Sequence, residues 1–291
     1  MLRANGENSM TNFEPQNAVA NEMPAAGSGE PAGTILAASR QRQILDLLAE
    51  RQEIQVGTLS SELQVSVETI RRDLRMLEEA GKLKRVHGGA VLLRPNEELP
   101  YSTRIESLQG EKERIAQTCL DHLDLREDQL VFIGGGSTTL PLARMLARGP
   151  RMRFVTNTID VAYALAATGQ HEVVLTGGRL LGDHELLAGY DTLNAVTRRL
   201  FDLVVTGTNA VDAKLGFLEY EEPEARLHEA LAQHSRRYVI VADHTKFGRS
   251  ASYAALPLSA VEMVVTDLAP TPEYQDVFEK AGVRAQWPAL A

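Results

Sequence analysis

The chain has 291 residues, 44% of them hydrophobic, a single cysteine (Cys119) and a formal net charge of -9. That length fits about two domains, and that apolar share can fill their cores. One cysteine excludes an internal disulfide and a cysteine-based zinc site, which points to a reducing, cytoplasmic setting. No run approaches the ~18 apolar residues of a membrane span, no apolar signal-peptide segment opens the chain, and the seven His show no metal-ligand spacing.

Residues 1–37 are rich in Asn, Gly, Pro, Ala and Glu, lack apolar periodicity and read as a disordered tail. The charge then divides. Residues 69–94 carry seven Lys and Arg against three Asp and Glu, whereas residues 95–291 carry 19 against 27. A small basic module therefore precedes a large acidic one, a local field that the net charge conceals.

In the small module, residues 38–93, the segment Arg40–Leu48 places Ile44, Leu45, Leu47 and Leu48 on a helical stripe. A second helix fits Thr58–Leu63. A third runs from Val67 to about Ala80, with Ile70, Leu74 and Leu77 as its buried face. Ser66 before it and Thr69 within it make a partial capping box, and Gly81 suits the position just past its end. Two helices joined by a tight turn form a helix-turn-helix, whose second helix enters a major groove. Lys82–Arg85 and the residues around Ala90–Leu93, turned at His87-Gly88-Gly89, form a wing. The expected contacts to double-stranded DNA are Thr58, Ser66, Val67, Glu68, Thr69, Arg71, Arg72, Arg75, Lys84, Arg85, His87 and Gly88. Arginine suits both guanine edges and phosphates.

The string SVETIRRDLRMLEEAGKLKRVHGGA, Ser66–Ala90, closely resembles the DNA-binding domain of DeoR-type bacterial transcription regulators. Its Thr-Ile-Arg-Arg-Asp-Leu and His-Gly-Gly-Ala signatures stand unchanged at Thr69–Leu74 and His87–Ala90.

Residues 94–110 contain Pro95 and Pro100, are polar and show no period. They read as an interdomain linker, either a passive tether or a path for a signal.

Residues 111–291 alternate short β-rich runs with helical periods. The runs are Leu130–Ile133, Phe154–Thr156, Val173–Thr176, Leu203–Thr206, Tyr238–Ala242 and Met263–Thr266. The helical stretches are Glu111–Leu123, Thr138–Ala147, Ile159–Thr168, Asp191–Leu200, Glu224–Ser235 and Glu273–Ala281. This alternation predicts an α/β open-sheet domain with a largely parallel sheet covered on both faces. Ligands bind beyond the carboxyl ends of such strands. The first run ends in Gly134-Gly135-Gly136-Ser137-Thr138-Thr139 and enters a helix. Glycine permits close approach, and helix-start amides and hydroxyls favour a phosphate. The loop is not a dinucleotide fingerprint, because Thr139 stands where the third glycine belongs, and no P-loop Gly-Lys-Ser/Thr follows. The later strand ends add Asn157, Gly177, Gly178, Arg179, Asp212, Glu219, Asp243 and Lys246. Lys246 and Arg179 supply charge for a phosphate. Asn157, Gly177, Gly178, Asp212, Glu219 and Asp243 are the expected polar contacts to a sugar or polyol.

The resemblance to DeoR-type regulators continues through EKERIA (Glu111–Ala116), VTNT (Val155–Thr158), LTGG (Leu175–Gly178) and VADHTKFGRSA (Val241–Ala251). It implies an effector domain similar to ribose-5-phosphate isomerase that binds a phosphorylated sugar or polyol. The subgroup of glycerol-3-phosphate repressors is the nearest, on EKERIA, Leu218-Glu219-Tyr220 and DHTKFGR. Asn209-Ala210-Val211-Asp212, Pro223 and His228 depart from the family pattern. The resulting expectation is a non-enzymatic repressor with no cofactor or metal. It binds operator DNA as a dimer or tetramer, and a phosphorylated effector releases it. The alternative is an isomerase-like enzyme carrying a DNA-binding head, with Glu219 or Asp212 as base and Lys246 as the stabilising cation.

Overall fold

The computed structural model describes residues 32–79, 81–92, 98–181 and 186–289. Residues 1–31 of the tail expected over 1–37, and the first residues of the linker, lie outside this range. Helix α1 (Ala32–Arg51) begins inside the stretch read as tail. It is followed by strand β1 (Glu53–Gln55), helices α2 (Val56–Glu62) and α3 (Val67–Glu79), and strands β2 (Leu83–Val86) and β3 (Gly89–Leu92). β3 pairs antiparallel with both β1 and β2, so the wing is three-stranded. β1 escaped the sequence reading because only Ile54 of its three residues is buried, too short an alternation to register. Ile44, Leu48, Ile54, Leu59, Ile70, Leu74, Leu77 and Leu83 form one core.

Two buried carboxylates fasten α3 to its surroundings. Asp73 accepts from Arg40 Nε and Nη2 on α1, and Glu78 accepts from Arg85 N at 2.8 Å on β2. The helix start is capped as the sequence predicts: Ser66 Oγ accepts from Thr69 N at 3.2 Å. Gly81, at φ +62°, ends it, with Lys82 N bonded to Leu77 O at 2.8 Å.

The linker contains a helix, α4 (Tyr101–Glu106), where the sequence shows no period. Six residues behind Pro100 are too few to display one. The large domain follows with α5 (Gln109–His122), β4 (Leu130–Ile133), α6 (Thr139–Leu146), β5 (Arg153–Thr156), α7 (Ile159–Ala166), β6 (Glu172–Leu175), β7 (Arg179–Leu181), β8 (Leu186–Ala188) and α8 (Tyr190–Thr197). Then come β9 (Leu203–Thr206), β10 (Ala210–Asp212), β11 (Gly216–Glu219), α9 (Glu222–Gln233), β12 (Tyr238–Val241), β13 (Tyr253–Leu256), β14 (Met263–Val265), α10 (Pro272–Ala281) and β15 (Arg284–Gln286).

Seven parallel strands order as β15-β14-β12-β9-β4-β5-β6. The hairpin β7-β8 and the antiparallel sheet β10-β11-β13 stand beside them. Both sheet faces are covered, and side-chain alternation assigns each residue to one. Val131 and Ile133 of β4 join α5, α6 and α7 in one core, whereas Phe132 joins Phe201, Leu227, Leu231 and Phe278 in the other. Strands buried on both faces read as continuous apolar runs, which is why the sequence locates them.

This topology positions the site. β4 and β9 are neighbours, yet the chain leaves β4 through α6 toward β5 and leaves β9 through α9 toward β12. The helices lie on opposite faces, so the two outgoing loops diverge and open a crevice, the switch point of a doubly wound sheet.

Candidate functional site

Two sites are built, one on each domain. On the small domain, a groove runs between α3 and the wing, lined by Val67, Arg71, Arg75, Arg85, His87 and Gly88. Arg71, Arg72 and Arg75 are exposed, as are Thr58, Ser66, Glu68 and His87, while Thr69 and Lys84 are half-buried. Arg72 stands outside the groove lining. Arg85 also has a structural partner: its Nε lies 2.5 Å from Glu78 Oε2, so its guanidinium is held against α3. The arrangement is a helix with a cationic face beside a cationic loop, the geometry that reads a major groove and grips the adjoining backbone.

On the large domain, a cleft at the switch point holds about 510 Å³ of space, part of it open to solvent. Gly135, Gly136, Ser137 and Thr138 form one wall, Gly207, Thr208 and Asn209 after β9 another, and Lys246 closes it. The glycines are required by close approach. A Cβ on Gly134 would sit 2.8 Å from Thr206 Cγ2, and one on Gly135 would sit 2.7 Å from Thr158 Cγ2. Gly134 thereby packs β4 against β9, and Gly135 brings the loop down on the end of β5. The start of α6, with its hydroxyl-bearing residues, presents first-turn N–H groups and the positive end of its dipole, an arrangement that suits an anion.

The cationic end is set by buried groups. Lys246 is 8% exposed and sits on a 3-10 turn, His244–Lys246. Asp243 caps that turn by accepting from Thr245 N at 3.0 Å. Burial alone would raise the Asp243 carboxyl, but Lys246, the Thr245 hydroxyl and amide, and Lys112 together hold it below the usual carboxylate range. Asp243 therefore fixes the turn that carries Lys246 and lines the adjoining recess. Lys112, buried, donates to the carbonyls of Arg104 and Ser107, and burial pulls its ammonium down to about 8.

Burial shifts the acids and the imidazole of the lining away from their charged forms. Glu219 on β11 accepts from Asn209 Nδ2 at 2.6 Å, and its Oε1 has no hydrogen-bond partner among the described residues. Burial, then Glu224 and Glu98, push its carboxyl well above the usual range. Burial and Glu98 push Glu224 up to about 8. Burial pushes His228 on α9 down to about 4; its Nδ1 lies 3.0 Å from Tyr238 Oη and its Nε2 lies 3.5 Å from Glu219 Oε1. A carboxyl shifted toward its protonated form, an amide and an imidazole shifted toward its neutral form can both donate and accept, which suits hydroxyls.

Several expected contacts fall elsewhere. Asp212 accepts from Lys214 N and Leu215 N, both at 2.8 Å, and these amides depress its carboxyl. It is the turn-former of the β10-β11 hairpin and lies outside the cleft lining. Gly177 and Gly178 also lie outside it. A Cβ on Gly178 would meet Thr192 Oγ1 at 2.5 Å, so this glycine allows β6 to pass α8. Arg179 is exposed on β7, away from Lys246's cleft. Asn157 binds Leu187 O at 3.1 Å and pins the β8 strand. Thr139 returns its hydroxyl to Gly136 O at 2.9 Å and shapes the loop from behind.

The cleft also contains residues that the sequence reading left unassigned: Glu98, Tyr101 and Arg104 from the linker, and Thr208, Asn209 and Glu224. Pro100 was the available signal. A proline just before a polar stretch marks a helix start as readily as a linker.

Residues 40–96 match the DeoR-like helix-turn-helix domain family and residues 108–268 the DeoR C terminal sensor domain family. The chain is 35% identical to the HTH-type transcriptional regulator GlpR of Haloferax volcanii, over 86% of this chain and 97% of that protein. It is 31% identical to the glycerol-3-phosphate regulon repressor of Escherichia coli, over 79% of this chain and 91% of that protein. Among solved structures, ribose 5-phosphate isomerase A from Neisseria gonorrhoeae overlaps 47% of this chain and 53% of its own, at a TM-score of 0.35 and 18% identity.

Proposed function

This chain belongs to the DeoR family of transcription regulators, and from that premise we propose that it represses a polyol or sugar catabolic operon and is released by a phosphorylated effector, with glycerol 3-phosphate favoured. The observation that carries the reading is the polarity of the switch-point cleft. A glycine loop, a helix start and Lys246 line it together with Glu219, Asn209 and His228, and burial pushes the Glu219 carboxyl up and the His228 imidazole down. Such a cleft takes a small molecule with one phosphate and one hydroxyl-bearing end. The small domain contributes one recognition helix, which reads one half-site, so the operator-bound form is a homo-oligomer on a repeated site. The relatives matched over most of their length carry regulator names, and this favours sensing over isomerase chemistry.

The test is a fluorescence-anisotropy titration of the full chain on DNA from the promoters flanking its own gene, with and without effector candidates. Glycerol 3-phosphate is expected to weaken specific binding, and glycerol and inorganic sulfate are expected to leave it unchanged. Failure of every phosphorylated polyol and sugar to alter binding or melting temperature defeats the effector reading. Absence of any sequence-specific complex defeats the repressor reading.

A further inference from the structure

The cations of the cleft already hold a carboxylate, and it comes from the connection between the domains. Glu98 Oε1 lies 3.0 Å from Arg104 Nη1 and 3.4 Å from Lys246 Nζ, and the Glu98 side chain is only 5% exposed. It lines the same cleft as Gly135, Gly136 and Ser137. Among protein groups a carboxylate is the nearest likeness of a phosphate, being anionic and acceptor-only. We infer that Glu98 is a tethered counter-anion of the effector site, and that the phosphate of the effector displaces it from Lys246 and Arg104 to signal the small domain. The inference rests on the effector reading given above.

Burial supplies the driving force. A charged group stays in a cleft of low dielectric only while it is paired. A phosphate that takes Lys246 and Arg104 removes two partners of Glu98 and sets a like charge beside it, so the carboxylate is driven from these cations. It does not move alone. Arg104 Nε donates to Leu99 O at 3.0 Å, and Arg104 N to Pro100 O at 3.0 Å, so the residues next to Glu98 are bonded to α4. The Tyr101 hydroxyl donates to Asp160 on α7, and Lys112 holds the carbonyls at the end of α4. Releasing Glu98 therefore pulls on the whole linker helix.

The loop that presents Lys246 also touches the small domain. Arg249 Nη2 donates to Gly81 O at 3.0 Å, at the residue that terminates α3. One short segment thus bonds the linker carboxylate through Lys246 and the end of the recognition helix through Arg249. Two arrangements of this segment, one with Glu98 in the cleft and one with phosphate there, give the effector its differential affinity for two states.

Isothermal titration of the full chain with glycerol 3-phosphate and with inorganic phosphate tests this. Glu98→Gln keeps the shape and removes the charge. If Glu98 fills the cleft nine-tenths of the time, its neutralisation tightens binding of either ligand by about tenfold. Glu98→Asp keeps the charge on a shorter stem and is expected to tighten binding less; melting curves verify that both variants fold. Hydrogen exchange across Tyr101–Glu106 gives a second readout: it rises on ligand addition in the wild type and is already raised in Glu98→Gln without ligand. Wild-type binding with equal or weaker binding by Glu98→Gln overturns the inference and leaves the effector reading standing. No binding of either ligand by wild type or variant overturns both.

Discussion

Gly135→Ala places the phosphate cradle under direct test. The added Cβ would lie 2.7 Å from Thr158 Cγ2 and 3.0 Å from Thr158 Oγ1. Ordinary carbon contacts are about 3.5–4.0 Å, so the loop or the strand end must yield by close to an ångström, roughly the difference. Thr158 has nowhere to go. It is fully buried, and its amide and hydroxyl each lie 3.2 Å from Thr156 Oγ1. The loop therefore moves, and Gly136 and Ser137 move with it. Overpacking of this kind costs about 1–3 kcal/mol of stability. The displaced amides lose their aim on the phosphate, and loss of one such contact, about 1.4 kcal/mol or more, weakens effector binding at least tenfold. The small domain is untouched, so operator affinity without effector stays within about twofold of wild type, a difference under 0.5 kcal/mol. Urea denaturation, calorimetric titration with glycerol 3-phosphate and operator anisotropy measure the three quantities. Gly207→Ala is the matched control, because its Cβ finds no atom of the described residues nearer than 3.8 Å; its stability is expected to equal that of wild type. Wild-type stability together with wild-type effector affinity in Gly135→Ala refutes the close-approach argument.

Arg71→Ala and Arg72→Ala are each expected to weaken operator binding by about 1–3 kcal/mol if they reach base edges, and unchanged affinity in both removes α3 as the recognition helix. Lys246→Ala and Ser137→Ala are expected to bind operator normally but need more effector for release, so a normal effector response in both displaces the phosphate site. His228 has a native pKa of about 4 against an ordinary 6.5, so the unfolded chain takes up the proton first as the pH falls. Its contribution to stability is complete above pH 6.5 and is lost progressively between 6.5 and 4, by roughly 3 kcal/mol in all. An imidazole NMR signal of His228 titrating near 6.5 contradicts the dry wall it is said to form. Cys119 is fully buried, and burial pushes its thiol up to about 12. It is expected to react with a disulfide reagent only after denaturation, and prompt labelling of the native chain disproves that placement.

Legibility in the sequence followed the range of the interactions. Helix α3 was legible because its determinants are local: a Ser66 cap, an apolar stripe at Ile70, Leu74 and Leu77, and Gly81 just beyond it. The central strands were legible because burial on both faces leaves no polar alternation to confuse them. Asp212 and Glu219 were indistinguishable as acids near strand ends. They were separated only by tertiary register, which hands the first two backbone amides in a tight turn and the second a side-chain amide and an imidazole inside the cleft. The same limit hid the linker's part in the site. Prolines and charges without periodicity signify solvated chain only while those charges stay in water, and here Glu98 and Arg104 are buried against Lys246. Burying three ionised groups costs solvation that no hydrophobic gain returns. A buried trio of this kind is better explained by something the cleft must exchange than by the stability of the fold alone.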